Sequence, residues 1–219
     1  MYAVWLTLLQ LAHSVLGTGP KSLPQILIHT AKPFPIFGST SSWTPPLWIA
    51  VNDQIRGGAS TSSLTISTLD NSALFTGHLD TSKLGGAGFA SYRTSETTSP
   101  PKRWDLTPFS GLKLITREGD GKRYSLNLIT TPPTNRPDGR IQSRVEYKFS
   151  FVASEERIEH FAKWEDFKIY YRGRELKDDD ARAVPLDVSH ILAFDIMCQS
   201  YFDEQKGHFR VVVESVHAV

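Results

Sequence analysis

Between residues 62 and 217 the chain repeats one pattern: a short run rich in β-branched and aromatic residues, then a cluster of Gly, Pro, Asn, Asp or Ser. The runs fall at about 62–68, 72–79, 87–93, 111–117, 123–130, 144–152, 189–199 and 208–217. Short runs at such spacing, with few credible helices between them, predict a sandwich or barrel. Alternation sharpens the prediction. In Val145-Glu146-Tyr147-Lys148-Phe149-Ser150-Phe151 the odd positions are apolar and the even ones polar, and Tyr124, Leu126 and Leu128 alternate with Ser125 and Asn127. Strand residues i and i+2 point the same way, so each run offers one buried and one wetter face. Ser154 to Trp164 is the one segment that reads as α-helical, with Ser154 as its N-cap and Glu155-Glu156 facing the helix dipole. Arg172 to Asp187, with Asp178-Asp179-Asp180, reads as an exposed loop.

The strand-like start at Trp48 gives way to Asn52-Asp53 and the pair Gly57-Gly58 before extended character resumes toward Ile66. Adjacent glycines between strands mark a bulge or a close backbone approach. A second cluster, Gly85-Gly86-Ala87-Gly88-Phe89-Ala90-Ser91-Tyr92-Arg93, has the same character. Trp104-Asp105, Gly119-Asp120-Gly121, Trp164-x-x-Phe167 and Gly207-His208-Phe209-Arg210-Val211 complete a series of spaced motifs.

On these motifs the chain, from about Trp43 to Val216, resembles the complex I intermediate-associated protein family, and most closely its short fungal-type members. The resemblance implies an all-β, two-sheet jelly-roll sandwich of the galactose-binding-domain-like type. It also implies a role in assembling respiratory complex I by holding intermediates. The matching positions are Asn52, Asp53, Arg56, Gly57, Gly58, Ser60, Ser62, Gly86, Gly88, Phe89, Ser91, Arg93, Trp104, Asp105, Gly119, Asp120 and Gly121. Where members often carry arginine after the buried strand near Cys198, this chain has Gln199.

Signatures of enzymes are sparse. Gly86-x-Gly88-x-x-Ser91 sits in no strand-to-helix turn of a βαβ unit, so it does not make a dinucleotide site. No P-loop, Gly-x-Ser-x-Gly elbow or zincin motif occurs. Glu156 and His160, four apart, would share a helix face, but two ligands do not make a zinc site. The Asp178–Asp180 run lacks calcium-loop spacing. No metal or cofactor is expected. Cys198 is the only cysteine, which rules out an intrachain disulfide, and it lies on an apolar strand face. With 24 basic and 23 acidic residues there is no global electrostatic case for nucleic acid.

One polar set stands out as a candidate binding site: Asn52, Asp53, Arg56, Ser91, Arg93, Asp195 and Gln199. Arg93 suits a carboxylate or phosphate through its planar fork. The competing reading is that Arg93 pairs with Asp53 or Asp195 and braces the sandwich. If a proton must be moved, Asp195 or Asp53 would move it.

Met1 to Leu16 is mostly apolar and reads either as a retained leader or as a signal segment cleaved after Gly17. It is short for a bilayer span, which needs roughly 20 apolar residues. The chain accordingly divides into an apolar leader at 1–17, an N-terminal strand and wrapping loop at 18–46 (with a strand at Gln25–His29 and a loop from Lys32 to Pro46), and a jelly-roll domain at 47–219. Resemblance points to the mitochondrion or cytoplasm, and a signal segment would instead direct secretion or membrane association. Three functions remain open: a non-catalytic assembly or chaperone-like factor that binds a protein, a module for a small sugar-like or other polar ligand, and a cofactor-free cyclase or isomerase. The first predicts an exposed apolar patch.

Overall fold

The computed structural model describes residues 32–44, 47–96, 103–139 and 141–219. The apolar leader and the strand expected at Gln25–His29 lie outside the described residues. Two antiparallel sheets face each other across an aromatic core. One runs β3 (Thr61–Ser67), β4 (Ser72–Leu79), β13 (Gly207–Ala218), β6 (Gly111–Arg117), β9 (Ile158–Lys163), with β1 (Phe34–Gly38) also on β13. The other runs β11 (Arg174–Glu175), β10 (Lys168–Tyr171), β8 (Val145–Val152), β7 (Arg123–Ile129), β12 (Ala193–Gln199), β5 (Phe89–Thr94), β2 (Trp48–Ala50). This is the jelly-roll sandwich that the family resemblance implied, and it is a sandwich where the run pattern allowed a sandwich or a barrel.

Alternation decides which side chains form the core. From β7 come Tyr124, Leu126 and Leu128, from β12 Phe194, Ile196 and Cys198, and from β13 Phe209, Val211 and Val213, all buried. Burial also pushes the Cys198 thiol up to about 12, as befits a small apolar filler rather than a nucleophile. Phe37 is the hub of one end of the core. Its ring lies 5.4 Å from Trp43, 5.2 Å from Trp48, 6.1 Å from Trp104 and 5.3 Å from Phe194. The indole N–H groups, which must be satisfied when buried, donate to Asn71 O (Trp43, 3.0 Å) and Trp43 O (Trp48, 2.9 Å).

Two local readings are corrected. The segment read as a loop from Lys32 opens with β1, because β13 outruns β4 and offers its last residues, Ser215 to Ala218, as a partner for Phe34–Gly38. The helix expected over Ser154–Trp164 is instead a turn followed by β9. Ser154 Oγ does accept from Glu156 N (3.2 Å), but this bond closes a turn, and β6 then pairs with Ile158–Lys163 in full register. Side-chain capping of a backbone N–H serves turns as well as helices, so the cap signal was ambiguous. On the strand, His160 and Ala162 turn inward while Glu159 and Phe161 face out, and Glu156 and His160 share no helix face.

His160 Nε2 lies 2.9 Å from Thr116 Oγ1, and its ring lies 4.9 Å from Phe151. Burial holds its pKa below the ordinary value, and burial with Lys113 does the same for His217. Both folded rings resist protonation, so the unfolded chain takes up protons first as pH falls through about 6.5. This stability is full above that pH and declines below it. Denaturant midpoints measured at about pH 7.5 and about pH 5.8 should fall with acidification, and His160→Gln should flatten the difference. Phe37→Ala should cost about 3–5 kcal/mol in the same assay, because a central ring leaves a cavity that four neighbours cannot close.

Candidate functional site

The candidate residues separate into two constellations. The first lies where β2 leaves its sheet. Asn52 ends the extended chain and Asp53–Arg56 forms a single 3-10 turn. Asp53 is wholly buried: Oδ1 accepts from Ser60 N (3.0 Å), and Oδ2 accepts from Ser60 Oγ (2.6 Å) and Phe89 N (3.1 Å). Asn52 Oδ1 accepts from Ser62 Oγ (2.7 Å) and Ser91 N (3.1 Å), while Ser91 Oγ donates to Val51 O (2.8 Å). Ser62 lies on the β3 edge of one sheet and Ser60 immediately before it, while Phe89 and Ser91 lie on β5 of the other. Two adjacent side chains therefore bolt the sheets together.

Two of the clustered glycines, Gly58 and Gly88, mark close approaches beside this carboxylate. A Cβ on Gly58 would stand 2.3 Å from Asp53 Cγ, and one on Gly88 would stand 2.4 Å from Asp80 O and 3.4 Å from Asp53 Oδ2. Neither close approach leaves room for a side chain. Arg56 takes no part, and its guanidinium instead lies over the Phe89 ring, 5.4 Å from the centroid.

The second constellation crosses the outer face of the seven-stranded sheet. Register sets Arg93 opposite Asp195, Asp195 opposite Asn127, and Asn127 opposite Lys148. Asp195 Oδ2 accepts from Arg93 Nη2 (3.3 Å) and Asn127 Nδ2 (3.2 Å), and the same Arg93 nitrogen reaches Glu146 Oε1 at 3.0 Å. Lys148 Nζ donates to Gln199 Oε1 (3.2 Å), lies 3.5 Å from Glu146 Oε2, and sits over the Tyr170 ring at 5.1 Å. Burial pushes the Asp195 carboxyl up from the ordinary carboxylate range, against the pull of Arg93. Burial also works to raise Glu146, but Lys148 and Arg93 outweigh it and hold that carboxyl down.

Bracing accounts for only part of this row. Arg93 Nε, Ser125 Oγ, Asn127 Oδ1 and Asp195 Oδ1 are buried with no hydrogen-bond partner among the described residues. Each such atom costs about 1–3 kcal/mol, and native interiors leave few of them. Four on one sheet face is an unusual concentration. By contrast, the outer face of the six-stranded sheet pairs its charges near water, as in Lys113–Glu159 (3.5 Å) and Arg157–Glu214 (2.8 Å).

Asn52, Asp53 and Ser91 thus fall together, as do Arg93, Asp195 and Gln199, while Arg56 joins neither group. Ser125, Asn127, Glu146 and Lys148 were not singled out from sequence. Alternation had placed them on the wetter faces of β7 and β8, a position that gave no sign of burial. Among the described residues no three His, Cys, Asp or Glu side chains are grouped to hold a metal, and no helix is long and apolar enough to cross a membrane.

A third feature adjoins the glycine loops. Tyr201, Phe202 and Asp203 follow β12 with φ of 48°, 59° and 73°, a left-handed run without glycine. Such a conformation costs about 1–2 kcal/mol per residue and must be held by its surroundings. Asp203 Oδ1 accepts from Thr81 Oγ1 (2.8 Å), and Ser200 donates through N to Gly88 O and through Oγ to Gly86 O, each at 2.8 Å. On the other side, Gln205 Nε2 donates to Arg123 O and Gln199 O, each at 2.8 Å. At the crest Phe202 is 70% exposed, with Ile55 on the same glycine-bearing flank 64% exposed.

The family model described as Complex I intermediate-associated protein 30 (CIA30) matches residues 37–213. A relative in Schizosaccharomyces pombe (strain 972 / ATCC 24843), uncharacterized protein C9E9.15, is 34% identical over 188 residues, covering 84% of this chain and 83% of its own. The family 11 carbohydrate-binding module of the cellulosomal cellulase Lic26A-Cel5E of Clostridium thermocellum superposes with a TM-score of 0.50 at 12% identity, over 82% of this chain and 92% of that one. The family 11 module from the same organism in complex with a β-1,3-1,4-mixed-linked tetrasaccharide does so with the same score and identity, over 83% and 94%. At this identity the likeness concerns the fold alone.

The different uses of Asp53 and Arg56 are separable by mutation. Asp53→Ala strands the backbone N–H groups of Ser60 and Phe89, while the Ser60 hydroxyl keeps Asp80 as a partner, so chemical denaturation should register a loss of about 2–6 kcal/mol. Arg56→Ala removes one exposed cation–π contact and should cost about 0.5–1 kcal/mol. Equal effects would contradict the assignment of the sheet-to-sheet tie to Asp53.

Proposed function

Because the chain belongs to the complex I intermediate-associated protein 30 family, we propose that it is a non-catalytic assembly factor that holds a protein partner. Membership suggests a complex I assembly-related role. The observation that carries the partner-binding reading is the Tyr201–Asp203 turn. Three residues in a costly conformation, clamped on both sides, present an aromatic ring of 70% exposure to solvent. A pre-set aromatic knob loses little freedom on docking, which is the property of interface anchors. Ile55, 64% exposed in the turn after β2, is a second exposed apolar side chain near the glycine loops.

The bracing of the two carboxylates that the sequence offered for acid–base work also favours holding over turnover. Asp53 accepts three hydrogen bonds at the sheet junction, and Asp195 shares Oδ2 between Arg93 and Asn127 with no exposure to water.

In cells that contain complex I, tagged chain crosslinked in place should capture complex I subunits or their assembly intermediates. Phe202→Ser should reduce that capture about tenfold or more, equivalent to about 1.4 kcal/mol or more, while leaving the thermal midpoint unchanged. Undiminished capture by the variant would remove the turn from the interface. Absence of complex I subunits from the wild-type capture would overturn the assembly role.

A further inference from the structure

We propose that the outer face of the seven-stranded sheet, over Arg93, Ser125, Asn127 and Asp195, is a binding site for an uncharged polyhydroxylated small molecule. The four atoms without a partner among the described residues set out what a ligand must supply. Asp195 Oδ1 and Asn127 Oδ1 are acceptors in want of donors, Arg93 Nε is a donor in want of an acceptor, and Ser125 Oγ can play either part. All four belong to three adjacent strands, β5, β12 and β7. Their positions are fixed by cross-strand register: Arg93 opposite Asp195, Asp195 opposite Asn127, and Ser125 opposite Met197 two residues along. A site built on paired strands holds its groups more firmly than one built on loops.

Charge narrows the class. Arg93 and Lys148 are balanced by Asp195 and Glu146, and at the end of the row Arg144 is balanced by Glu96 in a two-pronged pair at 2.7 and 2.8 Å. An added anion would lie against Asp195 and Glu146, and an added cation against Arg93 and Lys148. Either would leave a buried charge uncompensated. A hydroxyl group, which donates and accepts at once, meets both kinds of vacancy without adding charge. Adjacent hydroxyls on one carbon skeleton can serve Asp195 Oδ1, Asn127 Oδ1 and Arg93 Nε together. Tyr170 flanks the row under Lys148, and Tyr201 lies under the Arg123 guanidinium at 4.3 Å, so ring faces border the polar strip.

Entry is through Glu146. Its side chain is 23% exposed and that of Arg93 12%, whereas Asp195 is fully covered and Lys148 nearly so. The Glu146 carboxylate is bound by Arg93 at 3.0 Å and Lys148 at 3.5 Å, and a ligand entering here competes for those contacts.

The test is a titration of the full chain followed through backbone amide NMR shifts. The neutral probes are glucose, trehalose and myo-inositol, with glucuronate and glucosamine as charged counterparts. Saturable shifts clustered on β5, β7 and β12 are expected with at least one neutral probe, and each charged counterpart should bind about tenfold more weakly or worse. Asn127→Leu should abolish the shifts. Ser125→Ala, a milder change that keeps the fold if Asn127→Leu does not, should weaken binding several-fold. Phe202→Ser should leave the titration unchanged, which separates this site from the protein-binding surface. No saturable shift with any neutral probe, tighter binding of a charged counterpart, or equal binding by wild type and Ser125→Ala would overturn the proposal.

Discussion

The fold turns on one buried carboxylate. Asp53 sits where β2 ends, and its oxygens accept from Ser60, immediately before the β3 edge of one sheet, and from the β5 strand of the other. Hydrophobic burial pulls the two layers together but does not fix their lateral position, because it has no direction. A carboxylate accepting backbone N–H groups from both layers does have direction, and such charge-assisted bonds are among the stronger ones. Gly58 follows from it, since a side chain there would run into the Asp53 carboxylate, while Gly88 must lack one because it packs against the Asp80 carbonyl beside the same site. The glycine loops in turn carry the carbonyls of Gly86 and Gly88 that anchor Ser200 and hence the left-handed turn behind it.

The two sheets put their outer faces to different uses. On the six-stranded sheet the charges pair in reach of water, where such pairs contribute little. On the seven-stranded sheet the row of Arg93, Asp195, Glu146 and Lys148 lies largely under the surface, where each charge must be compensated or cost stability. Arg93, Asp195, Glu146 and Lys148 compensate one another in charge, yet four hydrogen-bonding valences around them find no partner among the described residues. A face that is neutral in sum but incomplete in hydrogen bonds differs from a structural ion-pair network, which closes on itself. The core behind it is closed: Phe37, Trp43, Trp48, Trp104 and Phe194 fill one end, and Phe75, Tyr124, Phe151 and Phe209 the middle.

Much of this was legible in the chain. The strict alternation of residues 145–151 gave β8 and its buried face, because the side-chain period of a strand is two and does not depend on the partner. Paired glycines beside Asn52-Asp53 announced a close approach, though not to what. The Ser154 segment misled, since a hydroxyl accepting a backbone N–H opens a turn as readily as a helix, and only the free edge of β6 chose strand. Phe34–Gly38 offered too few residues for a period to show. It became a strand because β13 is long enough to hold β4 and then β1 along one edge.

Local sequence therefore determined the class of fold, the inward side of most strands, and the positions at which only glycine would serve. Each of these depends on an interaction reaching a few residues along the chain. Tertiary structure decided which strands became neighbours, and so brought Arg93 and Asn127 to Asp195, and Lys148 to Gln199, across as many as 102 residues. It also decided that polar residues read as facing water would be buried, since the burial of a sheet's outer face depends on what lies across it, and no residue carries that information by itself.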